Sequence, residues 1–295
     1  MRKLIWLMPV FAALIMGCST GNQLNEQKIT AQQYYRQGNY QQALDIWMAE
    51  IANFEHKGQE TACPVYTLAA FANMKLGNPQ QALDLLKKAT YSDFIADSTY
   101  SALAEIYRQQ DNLSLEMISL QDYVAHSPKG KSVSTVRLRL FELYVESKNW
   151  ELADAEWDQL TSVQKVQEKS LLDYFAVNKA LNHDQVCDSL AENMLKLNEN
   201  QTIALIWLGK KYYQKAEDRY QLEMKAYEAH KTNKQYKQLL NALDEVTFNF
   251  KRALKYFEKL YEVSPDTTAA TYLSYIYNRL DDKPKADYYK KLAGM

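Results

Sequence analysis

Glycine and proline are scarce, with eight Gly and six Pro in 295 residues. An all-β chain needs a turn roughly every 8–12 residues and would use more of both. Collagen-like and low-complexity classes fall on the same count. Cysteine is limited to three residues, and the sequence holds no CxxC, no HExxH, no G-x-S-x-G and no glycine-rich phosphate loop or G-x-G-x-x-G. The four histidines, His56, His126, His183 and His230, have no His or Cys partner at metal-ligand spacing. Neither charge sign is in excess, with Lys+Arg at 35, Asp+Glu at 36 and pI ≈ 6.5, so the chain has no global electrostatic footprint for nucleic acid. No metal, cofactor or nucleic acid is expected. A hydrophobic fraction of 47% with 24% charged residues supports a packed core. Leu, Ala, Gln, Glu, Lys and Tyr favour helices, and the 22 tyrosines call for an explanation.

The longest apolar run comes first. Arg2 and Lys3 precede Leu4 to Met16, and Gly17 and Cys18 follow. That is the layout of a secretory signal peptide, and the run is too short for a spanning helix. Ile15-Met16-Gly17-Cys18 resembles the lipobox of bacterial lipoproteins. The resemblance implies cleavage after Gly17, a diacylglyceryl group on the Cys18 thiol and an acylated, palmitate-type N-terminus. One acyl chain anchors only marginally and stable anchoring takes two or more, which this modification supplies. Ser19 after the cysteine then points to the outer membrane of a Gram-negative envelope. Residues 18–25 are polar and read as a flexible tether.

Turn tripeptides recur along the rest of the chain. Gly38-Asn39-Tyr40, Gly77-Asn78-Pro79, Asp111-Asn112-Leu113 and Lys148-Asn149-Trp150 share a central Asn, and Asn182-His183-Asp184 follows in register. Helical pattern flanks each on both sides, about fourteen residues long, so the unit is helix–turn–helix with a period near 34, a typical length for a two-helix repeat. Ala31, Tyr34, Gly38, Tyr40, Ala43 and Trp47 mark the first copy. Ala70, Gly77, Ala82, Leu86 and Ala89 mark the second, and Ala104, Tyr107, Leu120 and Pro128 the third, where Glu116 replaces the usual small residue. Tyr144, Trp150, Ala153 and Trp157 mark the fourth, and Asn182, Cys187 and Ala191 the fifth. The sixth opens with Leu205, Leu208, Gly209 and Tyr212. The pattern resembles tetratricopeptide repeats (TPR). Small residues let helices approach and aromatics fill the wedges between pairs, which accounts for the tyrosines.

In the sixth copy, the closing residues Ala253, Phe257, Leu260 and Pro265 are displaced far downstream, and no Pro or Gly intervenes. Apolar residues at 3–4 spacing continue through Tyr227 on one side and from Leu239 on the other. Both helices therefore lengthen, turn near His230–Lys234, and pair Gly209 with Ala253, Ala216 with Val246 and Tyr220 with Ala242. The expected architecture is an all-α, right-handed TPR-like superhelical solenoid of about seven helix pairs. It comprises repeats over 26–200, an elongated hairpin over 201–265 (helices about 203–263) and a capping pair over 266–295, after a signal peptide over 1–17. Cys63 and Cys187 lie three repeats apart, beyond the roughly 7 Å Cα limit for a bridge, and are expected unbridged.

For function, the resemblance implies a scaffold or adaptor that holds other envelope proteins or peptides, attached to the membrane through its lipid and without catalysis. TPR stacks bind on the wall made by first helices. Counting back from the turns puts Tyr35, Phe71, Met74, Glu105, Arg108, Glu142, Lys179, Lys210 and Tyr213 there, with charges of alternating sign. The long hairpin carries twelve Lys/Arg against eight Asp/Glu between Lys210 and Glu262; it reads either as a solvated face or as a basic surface for an acidic partner. The other function class is an enzyme or ligand-binding accessory with the hairpin as a lid. A closed apolar pocket around a pKa-shifted carboxylate would favour that class.

Overall fold

The computed structural model describes residues 30–295; the expected signal peptide over 1–17, Cys18 and the expected tether over 18–25 lie outside the described residues. Every regular element among the described residues is a helix. Seven pairs follow one another. They are α1 (30–36) with α2 (Tyr40–His56), α3 (Tyr66–Lys75) with α4 (Pro79–Ala89), and α5 (Asp97–Gln109) with α6 (Leu113–His126). Then come α7 (Val133–Glu146) with α8 (Trp150–Trp157), α10 (Glu168–Ala180) with α11 (Asp184–Leu197), α12 (Thr202–Ala229) with α13 (Asn233–Val263), and α14 (Thr267–Arg279) with α15 (Lys283–Leu292). Short helices at Glu60–Ala62 and, as α9, at Ser162–Lys165 fill two connections.

One turn geometry joins six of the seven pairs. The residue before the second helix's N-cap has left-handed φ in each: Gly38, Gly77, Asp111, Lys148, Asn182 and Asp281, with φ between 53° and 84°. The next residue's N–H then reaches back five positions. Asn39 donates to the Tyr34 carbonyl, Asn78 to Asn73, Asn112 to Tyr107, Asn149 to Tyr144, His183 to Asn178 and Asp282 to Tyr277, all at 2.8–2.9 Å. This is the helix-ending bond of a Schellman-type turn. Glycine takes that backbone freely at 38 and 77, whereas an L-residue there costs roughly 1–2 kcal/mol. The repetition is thus a property of the backbone, and the protein is a TPR-like array of helix pairs.

The chain divides into two compact units, with the boundary in sequence between Val133 and Ser134. In the first, Trp47, Ile51, Tyr66, Leu86 and Ile106 are almost fully buried around the small residues Ala31, Ala43, Ala70 and Ala82, all at 0% exposure. Burying each such large apolar side chain contributes about 1.5–3 kcal/mol. Glu116, standing where a small residue was expected, is buried at 2%. In the second unit, Phe141, Leu143, Leu208, Phe250 and Phe257 form the centre. Rings fill the wedges between pairs there: Trp157 stacks on Tyr174 at 4.0 Å, and Phe257 on Tyr272 at 4.5 Å. Tyr277 stacks on Tyr289 at 5.7 Å within the last pair.

The fourth pair departs from expectation. Its second helix has 8 residues, not about fourteen. The chain leaves the helix at Asp158, buries Leu160, and restarts at Thr161, whose side chain accepts from the Gln164 N–H in a capping box. The long hairpin has helices of 28 and 31 residues, 202–263, close to the expected bounds. Its turn is tighter, at 230–232, because Thr232 caps α13 by accepting from the Gln235 N–H at 3.2 Å. Lys215 meets Glu245 at 3.4 Å and Tyr227 meets Tyr236 at 5.7 Å, in keeping with the pairing of Ala216 with Val246. Among the described residues no disulfide is present; Cys63 and Cys187 are both buried, one in each unit. Burial, reinforced by Asp184, pushes the Cys187 thiol up to about 11.

Candidate functional groove

Of the nine residues expected on the first-helix wall, five belong to the first unit and four to the second. Phe71 and Met74, one turn apart on α3, share a groove of about 700 Å³. Both pack partly against the core and leave the rest of their surface to the groove. Ala102 and Ser101 of α5 form the opposite side. The rim is the loop between α6 and α7, which sets Lys129, Gly130 and Lys131 over the groove. That loop is held down: the Ser127 hydroxyl donates to the Asp97 carboxylate, and the Gly130 N–H donates to the Ser127 carbonyl at 2.9 Å. A Cβ on Gly130 would lie 2.9 Å from the Tyr123 hydroxyl, so only glycine lets the loop sit this close. The result is an apolar floor beneath two exposed ammonium groups, suited to an apolar side chain next to a carboxylate.

The other first-unit residues are committed locally. Tyr35 packs on Tyr40 at 5.2 Å and Trp47 at 5.8 Å, and burial raises its phenol, with Tyr40 adding to it. Glu105 is paired with Arg108 on its own helix and accepts from Gln109 at 2.9 Å. A second hollow of about 400 Å³ is lined by Glu55, Glu60, Thr61, Tyr66, Lys88 and Tyr91. An ion pair from Lys88 to Glu55 at 2.7 Å runs along it. Tyr66 is pushed up to about 12 by burial first and then by Cys63 and Glu55.

In the second unit, Glu142 sits in a charge network that joins two first helices. Lys169 of α10 meets Glu142 of α7 and Asp173, both at 2.8 Å, while Arg139 reaches Glu142 at 3.5 Å and Glu146 at 2.9 Å. Burial draws the Lys169 ammonium down, but its hydrogen bonds to Asp173 and Glu142 outweigh this and leave it raised. Lys210 lies over the Tyr272 ring at 5.7 Å, and Tyr213 meets the same ring edge-on at 5.1 Å. Burial raises both tyrosines. Lys179 is exposed on α10 and belongs to neither cluster.

Counting back from the turns could not find Lys129 and Lys131, which stand on a loop, though two lysines flanking Gly130 after Pro128 were there to see. It also missed Tyr272, Arg279 and Arg139, whose partners lie on other helices. Among the described residues, Glu156 is a carboxylate raised by burial, but Arg137 holds it at 2.8 Å in an internal ion pair between α7 and α8. No group of three or more His, Cys, Asp and Glu able to hold a metal ion occurs among the described residues, and no described helix is long and apolar enough to cross a membrane.

No family model matches the sequence. No curated protein matches it either. Several solved structures are similar in outline. The C-terminal part of a TPR repeat-containing protein of Cytophaga hutchinsonii is 16% identical, with TM-score 0.48 over 90% of this chain and 93% of its own. A protein of Bacteroides ovatus described as a putative protein binding protein is 16% identical, with TM-score 0.48 over 64% and 99%. A tetratricopeptide repeat protein of Parabacteroides merdae is 13% identical, with TM-score 0.44 over 93% and 93%. The repeat assignment stands on the six shared turns of this chain.

Proposed function

We propose that this chain is a cell-envelope lipoprotein, lipid-anchored through Cys18 at the outer membrane, that holds other envelope proteins or peptides and performs no catalysis. The observation that supports the scaffold role is the Phe71–Met74 groove under Lys129 and Lys131. It is open to solvent, with Phe71 and Met74 in its lining, which suits the side chains of a peptide segment. Charged groups elsewhere in each unit are paired internally: Glu105 with Arg108 in the first, and Glu142 with Lys169 and Glu156 with Arg137 in the second. The anchor rests on the charged start, the apolar run and Gly17-Cys18.

The anchor is tested by fractionation and mass. Wild type is expected in the membrane pellet, with Cys18 as the acylated N-terminus. Cys18→Ala is expected either in the soluble fraction or as an uncleaved precursor. A wild-type mass that shows cleavage elsewhere without acyl groups defeats the anchor.

A further inference from the structure

The hairpin presents a stripe along α13 that is apolar apart from Thr247: Tyr236, Leu240, Leu243, Thr247, Phe250, Leu254, Phe257 and Tyr261, at alternating spacings of four and three. Its lower half is covered. Tyr272 of α14 stacks on Phe257, and Tyr289 of α15 meets Tyr261 at 5.4 Å. The facing side of α12 is covered over the same length. Tyr272 meets Tyr213, and the Arg279 Nε–H donates to Glu217 at 3.0 Å while the guanidinium lies 4.4 Å from the Tyr220 ring. There α14 stops, at Arg279. The hairpin runs on for about ten residues per helix, roughly 15 Å at 1.5 Å per residue. Over that length Tyr236 and Leu240 are 49% and 46% exposed, with Met224, Tyr227 and Leu243 half-buried beside them.

We infer that this uncovered half is the seat of an amphipathic α-helix from a partner protein, laid end to end with α14 and carrying acidic residues at its C-terminal end. The inference deepens the scaffold reading and rests on it. What the seat takes is shown by α14, which already covers the same two-helix face with Tyr272, Tyr275 and Arg279, spaced for one helical face. What its far end takes follows from charge. Lys231, Lys234 and Lys237 crowd the tip, with Glu228 as the nearby acid. A helix continuing in the direction of α14 brings its C-terminus to those lysines, where its dipole and any terminal carboxylates are favoured. A second copy of the chain is the other occupant, and the test below separates it from a partner helix.

The test uses the full-length chain in detergent and a hydrocarbon-stapled helix that copies residues 267–279, extended at its C-terminus by two glutamates. A second version ends in two lysines. Binding is read by fluorescence anisotropy. The glutamate peptide is expected to bind wild type, and both the lysine peptide on wild type and the glutamate peptide on Leu240→Asp are expected to bind about tenfold more weakly, a difference of 1.4 kcal/mol. Leu222→Asp, on the opposite face of the hairpin, is expected to bind as wild type. Because Leu222 and Leu240 are both exposed, both variants should keep the wild-type helical signal. No binding to wild type, or equal binding to Leu240→Asp, overturns the inference. So does sedimentation showing a dimer, or flotation with phospholipid vesicles, that Leu240→Asp abolishes. A failed peptide leaves crosslinking in the Phe71–Met74 groove untouched, so the two readings fail separately.

Discussion

Phe257→Ala is expected to destabilise the second unit by about 3–5 kcal/mol, the range for removing a buried aromatic ring. Phe257 is fully buried and ties its own helix to two others. It stacks on Tyr272 of α14, belongs to α13, and faces Gly209 of α12 so closely that a Cβ there would lie 2.9 Å from its ring. Truncation leaves a cavity that backbone already in contact cannot close. Hydrogen exchange is the measurement of choice, because the chain has two compact units and a single melting midpoint would blur them. Protection should fall in α12, α13 and α14 and persist in α2 to α4, since each repeat depends chiefly on its neighbours. A loss below about 1 kcal/mol, the centre for ordinary substitutions, would mean that Phe257 does not hold the hairpin base.

The second large effect concerns the tip. Deleting Gln221 to Leu240 and joining Tyr220 to Asn241 through a short turn should leave the repeats folded. The cut falls above the last contacts from α14, on Glu217 and Tyr220. It removes one well-buried apolar residue, Leu239 at 7% exposure, and the Tyr227–Tyr236 ring pair. The expected cost is that of one or two core truncations, about 2–5 kcal/mol. Binding of the stapled helix should vanish. Unfolding of the whole chain on this deletion would show that the tip is needed to hold the repeats together.

Much of this architecture was legible because the turn chemistry is local. Gly38-Asn39 and Gly77-Asn78 announce a left-handed residue before a helix start, the same Asn at 112 and 149 carries the register onto Asp111 and Lys148, and spacing carried it to Asn182, where His183 takes the central place. Hairpin length was legible for the same reason, since an unbroken 3–4 pattern without Pro or Gly says where a helix continues. The short α8 was not, because Leu160 leaves the helix to reach the core, a tertiary choice that no local pattern encodes. The groove was half legible. Helical counting placed Phe71 and Met74, but the lysines over them come from a loop fifty-odd residues downstream, held by Asp97 and Ser127. The Glu142–Lys169 pair likewise joins separate helices, and one-dimensional periodicity does not register such partners.

The most direct measurement is photocrosslinking in intact cells from a benzophenone residue at Met74, compared with one at Gln80. Gln80 is exposed on α4, away from the groove. Discrete crosslinks to envelope proteins from position 74, lost on Lys129→Glu with Lys131→Glu and absent from position 80, are the expected result. Equal labelling at both positions, or none at 74 while the protein sits correctly in the membrane, would contradict the assignment of the groove as the surface that holds partners.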